Sequence, residues 1–326
     1  MNHPLSPARL AVGAIIALAA PLAWSQAYPA KTVRLIAPFA PGGGTDFIAR
    51  VAATKLTEAL GQQFIVDNRP GAGGSLGAEL GAKALPDGYT LTVIAGSYAV
   101  NPSLFKLAFD PANDITPIIQ LSQGPFLIVS HPALPIKNIK DLVALAKAKP
   151  DGLIYASSGT GSIVHLATAL FADMAGLKMI HVPYKGTGPA ITDTIAGQTQ
   201  LLWGSVAATL PQVKNGRLKG IAVSTAKRID ALPDTPTVME SGVPSLKGYD
   251  VILWHGIIGP KNLPKPIVDR LNTELNKILQ NKDMQDKLQG DGVSAAGGTP
   301  EQFGNTIRKD IDTWRKIVQK AGVKAE

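Results

Sequence analysis

The sequence predicts an α/β protein built as two lobes with two chain crossings between them. Three observations predict it. Short β-rich runs alternate with amphipathic helical runs over residues 32–224, a pattern that builds parallel sheets with right-handed crossovers. Glycine-rich loops link several strands to the helices that follow. From Val251 onward the alternation stops and helices dominate. A chain that begins one α/β lobe, makes a second and then adds late elements is expected to complete the first lobe with its C-terminal part. At 326 residues it is long enough for two lobes or one large domain.

Residues 1–27 read as a secretory signal. One positive charge, Arg9, precedes a nearly unbroken apolar run over 10–20, and the small residues Ser25 and Ala27 fit cleavage before Tyr28. The apolar run is about half of the ~20 residues that a spanning helix needs. Export to the periplasm is therefore expected, with the signal cleaved near Ala27.

The first part of lobe 1 is expected over 28–124. Residues 32–37 read as a strand and 46–60 as a helix, with Phe47, Val51, Leu56 and Leu60 at helical spacing and Gly61 as its stop. A strand over 64–66, a Gly-rich turn over 70–74, a helix over 75–85 and a strand over 91–94 follow. Lobe 2 is expected over 125–250, with strands at 127–130, 154–157, 179–182, 200–203 and 220–224. Its helices start at Asn138 (with Asp141 three residues on), at Ser162 and at Thr187-Gly188-Pro189. The crossings are expected near Ser122-Gln123-Gly124-Pro125 and over 244–249. Residues 251–326 then complete lobe 1. Their elements are a β-prone run over 251–258, helices over 266–279 and 282–288, and a last helix running to Gly322. That helix opens with the capping box Thr299-Pro300-Glu301-Gln302.

Composition narrows the function. The chain has no cysteine, which excludes disulfides, thiolate catalysis and Cys-ligated zinc. The net charge is +8, one less without Arg9, the leader's only charged residue. The lysines are scattered, many of them in the late helices (Lys277, Lys282, Lys287, Lys309, Lys316, Lys320), as on a solvated face. No nucleic-acid partner is expected. A positive field does favour the approach of anionic solutes.

Three strand-to-helix loops carry the candidate chemistry. They are Phe39-Ala40-Pro41-Gly42-Gly43-Gly44-Thr45-Asp46, Ala156-Ser157-Ser158-Gly159-Thr160-Gly161-Ser162, and Val182-Pro183-Tyr184-Lys185-Gly186-Thr187-Gly188-Pro189. Each lies at the carboxyl end of a predicted strand, where open α/β sheets bind ligands. Each opens a helix whose first N–H groups lack intrahelical partners and carry partial positive charge. Glycine lets a ligand approach those groups, and Ser and Thr add hydroxyl donors. The chemistry suits an anion such as a carboxylate. The alternative is plain tight turns with N-caps. No Arg lies in these loops, so no guanidinium clamp is expected.

Other motifs fall short. The first loop lacks the Gly-Lys-Ser/Thr ending of a P-loop, and Gly159-Thr160-Gly161 lacks the third glycine of a dinucleotide fingerprint. No cofactor is expected. Gly73-Gly74-Ser75-Leu76-Gly77 matches a nucleophile-elbow pattern, but six residues separate it from the preceding strand, and Ser75 reads better as an N-cap. His131, His165, His181 and His255 show no metal-ligand spacing. His165 has two readings, a ligand contact or a hydrogen-bonded structural residue. Asp46 also has two, support of its helix N-terminus or acceptance from a ligand N–H or hydroxyl.

The sequence resembles the substrate-binding proteins of tripartite tricarboxylate transporters, also called Bug receptors. The resemblance runs over essentially the whole chain after the leader. It rests on Tyr28-Pro29, Pro41-Gly42-Gly43 with Asp46, Asn68-Arg69-Pro70-Gly71-Ala72-Gly73-Gly74, Pro86-Asp87-Gly88-Tyr89-Thr90 and Asn101-Pro102-Ser103-Leu104. It continues through Gly159-Thr160-Gly161-Ser162 with His165-Leu166, Val182-Pro183-Tyr184-Lys185-Gly186 with Pro189-Ala190, and Leu232-Pro233-Asp234-Thr235-Pro236-Thr237 with Glu240-Ser241-Gly242. It implies a two-lobed periplasmic-binding-protein (Venus flytrap, type II-like) fold and a non-enzymatic receptor. Such a receptor captures a small carboxylate-bearing solute and delivers it to membrane permease subunits. A monomer is expected. The implied ligand-binding residues are Phe39, Gly42, Gly43, Gly44, Thr45 and Asp46, with Ser97 and Asn101, from lobe 1, and Ser158, Gly159, Thr160, Ser162, His165 and Tyr184 from lobe 2. After the fourth strand of lobe 2 the family often carries Asp followed by Asn. This chain has Gly204-Ser205, so an acid is missing from the pocket rim and Ser205 joins the candidates. The alternatives are a receptor for a neutral or aromatic solute, a subunit serving a sensor kinase, and a serine hydrolase using Ser75.

Overall fold

The computed structural model describes residues 28–321. The expected signal over 1–27 and the expected helix end at Gly322 lie outside the described residues.

The first strands form as the alternation dictates. β1 (Val33–Ala37) pairs in parallel with β2 (Phe64–Asn68) and with β3 (Thr90–Ala95). The crossover helices are α1 (Gly44–Leu60) and α2 (Ser75–Ala82). α1 stops where Gly61 adopts the left-handed conformation, at φ 70°, and its amide bonds back to Thr57 O. α2 ends at Ala82, three residues earlier than the sequence suggested. Its N-cap is Gly74, at φ 96°, and Ser75 is the first helical residue, which corrects the expectation that Ser75 caps the helix. The strand before it ends at Asn68 and a 3-10 turn over Ala72–Gly74 intervenes, so Ser75 has no nucleophile-elbow geometry. A short α3 (Ser97–Val100) follows β3.

β4 (Ile115–Ser130) is the strand around which the molecule is organised, and the sequence showed only its end. Pro117, Gln120, Ser122, Gly124 and Pro125 break the β pattern, yet the strand runs for 16 residues. Residues Ile115–Pro125 pair antiparallel with β9 (Ile252–Pro260), with register shifts at Pro117/Ile119 and Gln120/Ser122. Irregularities of this kind let a strand carry prolines that a regular central strand would reject. Residues Phe126–Ser130 pair instead with β7 (Leu201–Ser205), and Leu127–Ser130 with β8 (Lys219–Val223). The strand therefore changes partners between Pro125 and Phe126. One group of strands runs β2-β1-β3-β9-β4, with β10 (Ser294–Gly297) on the far side of β4. The other holds β4, β7, β5 (Ile154–Ser157) and β6 (Ile180–Pro183), with β8 also on β4.

The helices of the second group are α4 (Ile139–Ala148), α5 (Ile163–Ala175), α6 (Thr187–Ile195) and α7 (Val206–Lys214). Asn138 caps α4 by accepting from Asp141 N, and Ser162 caps α5 by accepting from His165 N, as the sequence indicated. α7 carries Pro211 in its interior and did not stand out in the sequence. The chain closes with α8 (Lys265–Gln280), α9 (Lys282–Gly290), β10 and α10 (Pro300–Ala321). Thr299 N donates to Gln302 Oε1 and Gln302 N to Thr299 Oγ1, so the capping box forms. One buried cluster lies beneath β1, β3, α1 and α8. A second runs from β4 and β7 through α5 to Phe303, Ile307 and Trp314 of α10.

Candidate functional site

The loop after β1 turns into α1 at Gly43, which has extended backbone (φ −98°, ψ 175°) and no side chain to cap the helix. The first α1 amides thus have no side-chain acceptor. α6 begins after Gly186 and α7 after Ser205, again with no side-chain cap. These helix starts come from different strand groups and meet. Ala40 N donates to Lys185 O at 2.9 Å. A Cβ on Gly43 would lie 3.2 Å from Thr187 Cβ, and one on Gly44 would lie 2.6 Å from Ser205 Oγ. Glycine at 44 is required by this close approach across the gap, not by its own dihedrals.

Between them lies a small cavity of about 20 Å³, room for about one water. Seven expected residues line it: Phe39, Gly43, Gly44, Thr45, Ser97, Ser158 and Ser205. Thr187 and His255 also line it, and neither was singled out from the sequence. No Asp, Glu, Lys or Arg is among its lining residues. Thr187 could have been found, because it lies in the third loop and opens α6. His255 could not, because it sits inside the apolar run of β9 with no motif around it.

The other expected residues surround this cavity rather than line it. Asp46 is 5% exposed and accepts from Gly42 N (3.1 Å), Arg50 Nε (3.0 Å) and Asn68 Nδ2 (3.0 Å). Burial alone would raise its pKa, but these donors hold the carboxyl below the usual range. Of its two readings, the hydrogen bonds match support of the helix start. Gly42 is held through that same bond. Asn101 Nδ2 donates to Gly73 O and to Gly161 O, each at 3.3 Å, so it ties the turn before α2 to the loop before α5. Thr160 packs at the same junction, its carbonyl O 2.5 Å from where a Cβ on Gly73 would sit.

The α5 loop is largely satisfied by the protein itself. Gly159 N donates to Ser157 Oγ, Gly161 N to His165 Nδ1, Ile163 N to Ser97 Oγ and His165 N to Ser162 Oγ. The sequence pointed to those amides as ligand donors, and in this conformation they are occupied. His165 is thereby a structural residue here, stacked on His181 with ring centroids 4.0 Å apart. Burial lowers the His165 pKa to about 4. Tyr184 donates its hydroxyl to Asp193 Oδ2 at 2.7 Å, and its pKa is pushed up to about 12 by burial and that carboxylate.

Two buried polar atoms at the cavity have no partner among the described residues, Ser205 Oγ and His255 Nε2. Ser205 is 3% and His255 1% exposed. Burial pushes His255 down to about 3, so its ring is neutral at pH 7.

A strand shared by two α/β groups, with uncapped helix starts facing one another across a cavity lined by hydroxyls and apolar side chains, defines a solute-binding receptor of the periplasmic-binding-protein fold. The chain matches the tripartite tricarboxylate transporter family receptor over residues 48–323 and belongs to that family. Among solved structures, R. palustris Rpa4515 with adipate is 35% identical, with TM-score 0.88, over 91% of this chain and 99% of that one. The periplasmic binding protein BugD is 33% identical, with TM-score 0.87, over 92% and 100%. MatC from Rhodopseudomonas palustris with bound malate is 30% identical, with TM-score 0.83, over 89% and 100%. The family is one of solute-binding receptors, not enzymes.

Proposed function

We propose that the protein captures a small carboxylate-bearing solute between two lobes, 28–124 with 251–326 and 125–250, and delivers it to the membrane permease subunits of a tripartite tricarboxylate-type transporter. The signal over 1–27 sends it to the periplasm. The observation that carries this reading is the convergence of the α1, α6 and α7 starts, none with a side-chain cap, on one cavity lined by Ser and Thr hydroxyls and no charged side chain. Amide ends and hydroxyls are donors suited to an anion. Without a guanidinium or ammonium, the helix ends and hydroxyls share the charge. The relatives solved with adipate and with malate support the ligand class.

The first test is a thermal-shift screen of the ligand-stripped protein against mono- and dicarboxylates, amino acids, aromatic acids and neutral analogues. At about 100 times its Kd a ligand adds roughly 2.7 kcal/mol of stability. A rise in Tm with a carboxylate and none with its amide or ester supports the proposal. Stabilisation by neutral compounds and by no acid refutes it.

A further inference from the structure

Ser205 and His255 stand apart from the rest of the cavity wall. Both are more than nine-tenths buried, both line the cavity, and Ser205 Oγ and His255 Nε2 have no partner among the described residues. Buried polar atoms are rarely left unpaired, and the exceptions mark strain, function or an unseen partner. The two groups are neighbours: Ser205 Oγ lies 2.6 Å and His255 Cε1 3.6 Å from the point where a Cβ on Gly44 would sit. They come from different strand groups, since Ser205 ends β7 and His255 lies in β9.

The ring is oriented from behind. His255 and Ser122 are cross-strand partners, and Ser122 Oγ lies 3.2 Å from His255 Nδ1. Ser122 is fully buried. If its hydroxyl donates to Nδ1, the proton of the neutral ring sits on Nε2, the ring nitrogen left without a partner in the cavity wall. The other tautomer would leave the Ser122 hydroxyl hydrogen buried without an acceptor. The cavity therefore offers a hydroxyl and an imidazole N–H side by side, next to the start of α1.

We propose that Ser205 Oγ and His255 Nε2 form a subsite for an uncharged oxygen, a hydroxyl or carbonyl, carried by the ligand beside its carboxylate. This rests on the carboxylate reading above and deepens it: the receptor selects oxygenated acids over unsubstituted and amino acids. An ammonium group finds no acid in the cavity lining, and the nearby Asp46 already accepts from Gly42, Arg50 and Asn68. A second carboxylate would be buried at this point without a cation, which is costly. A hydroxyl or carbonyl needs neither.

The experiment is calorimetric titration of the ligand-stripped protein with two matched sets: butyrate with its 2-hydroxy, 2-oxo and 2-amino forms, and succinate with malate, oxaloacetate and aspartate. The oxygenated members are expected to bind about tenfold tighter than the unsubstituted ones, the worth of one buried hydrogen bond, and the amino members weakest. Ser205→Ala and His255→Phe should each bring the ratio of oxygenated to unsubstituted affinity below about threefold, whatever they do to affinity for the acids as a class. His255→Gln, which restores a donor, should recover part of it, and melting curves verify that each variant is folded. If acids bind but the preference is the same in wild type, Ser205→Ala and His255→Phe, the pair holds only water and the subsite is wrong while the carboxylate reading stands. Tightest binding of the amino members likewise overturns the subsite alone. If no member of either set binds, the carboxylate reading falls and the subsite with it.

Discussion

Gly44 shows how a single residue couples local structure to function. It opens α1, where alanine is intrinsically favoured by about 1 kcal/mol over glycine. Its hypothetical Cβ meets Ser205 Oγ at 2.6 Å and Ser205 Cβ at 2.8 Å, both on the opposite strand group. Gly44→Ala should therefore leave Tm within a few degrees and weaken ligand binding about tenfold or more, because the clash arises only when the two groups meet. Equal affinity for wild type and variant in calorimetry would contradict this. The glycines of this loop were legible in the sequence because they repeat at a strand-to-helix junction. His255 was not, because its significance lies in an unpaired ring nitrogen that only tertiary structure creates. His165 was legible as a position but not as a role, since its Nδ1 is used by Gly161. The stacked pair His165 and His181 makes a further expectation. Burial holds His165 at about 4, and burial together with the His165 neighbour holds His181 at about 3. An unfolded chain titrates its histidines near 6.5. As the pH falls below that value the unfolded state takes up protons that the native state refuses, so stability declines from about pH 6.5 to about pH 3 and is flat in this contribution below. At pH 5 the loss is of order 1–2 kcal/mol per histidine. Urea melts at pH 7 and pH 5 should show a smaller acid loss in His165→Gln/His181→Gln than in wild type. An identical loss in both would assign the acid sensitivity to other groups, the buried His255 and the carboxylates.

At the scale of elements, the helices divide by how they begin. α4, α5 and α9 have side-chain caps from Asn138, Ser162 and Asn281, and α10 has a capping box at Thr299. α1, α2, α3, α6, α7 and α8 have none, and of these α1, α6 and α7 begin at residues that line or adjoin the cavity. A side-chain cap serves stability, and its lack matters for the site only where the helix start faces the cavity. Asn138→Ala should lower unfolding stability by about 1 kcal/mol with no change in ligand affinity. Equilibrium denaturation alongside calorimetry checks both halves of that statement, and a change in affinity would mean that α4 acts on the site. The caps are short-range signals, which is why α4, α5 and α10 could be placed from sequence alone. β10 and the first two-thirds of β4 could not. Ser294-Ala295-Ala296-Gly297 has little β preference of its own and pairs because β4 presents an open edge to it. β4 keeps its course through two prolines because β9 follows it with shifts of register. Long-range pairing of this kind leaves no periodic trace in the residues that make it.

For the whole molecule, β4 is the strand common to both strand groups, and β9 follows it up to the change of partner. The change of partner at Pro125/Phe126 marks the boundary between the two strand groups. Gly124 adds a close contact there, since a Cβ on it would meet Gly292 O at 3.0 Å. Hinges are commonly a few such positions at element ends. Near the cavity the halves are tied by Ala40 N to Lys185 O, Ile163 N to Ser97 Oγ and Asn101 Nδ2 to Gly161 O, and away from it by the apolar cluster that joins β3, α3 and α10 to α5. A ligand shifts the balance toward closure only by its extra affinity for the closed form. The absence of native cysteine makes this measurable, because any disulfide formed must be the introduced one. Ala40 and Lys185 are joined through their backbones at 2.9 Å in the described conformation, so cysteines at these two positions come near each other only when the halves do. The variant Ala40→Cys/Lys185→Cys should oxidise slowly without ligand and several-fold faster with a saturating carboxylate. Once oxidised, it should release bound ligand much more slowly than the reduced form, because dissociation requires the halves to part. Oxidation at the same rate with and without ligand would show that the halves are already closed in its absence, and closure would then have no part in capture.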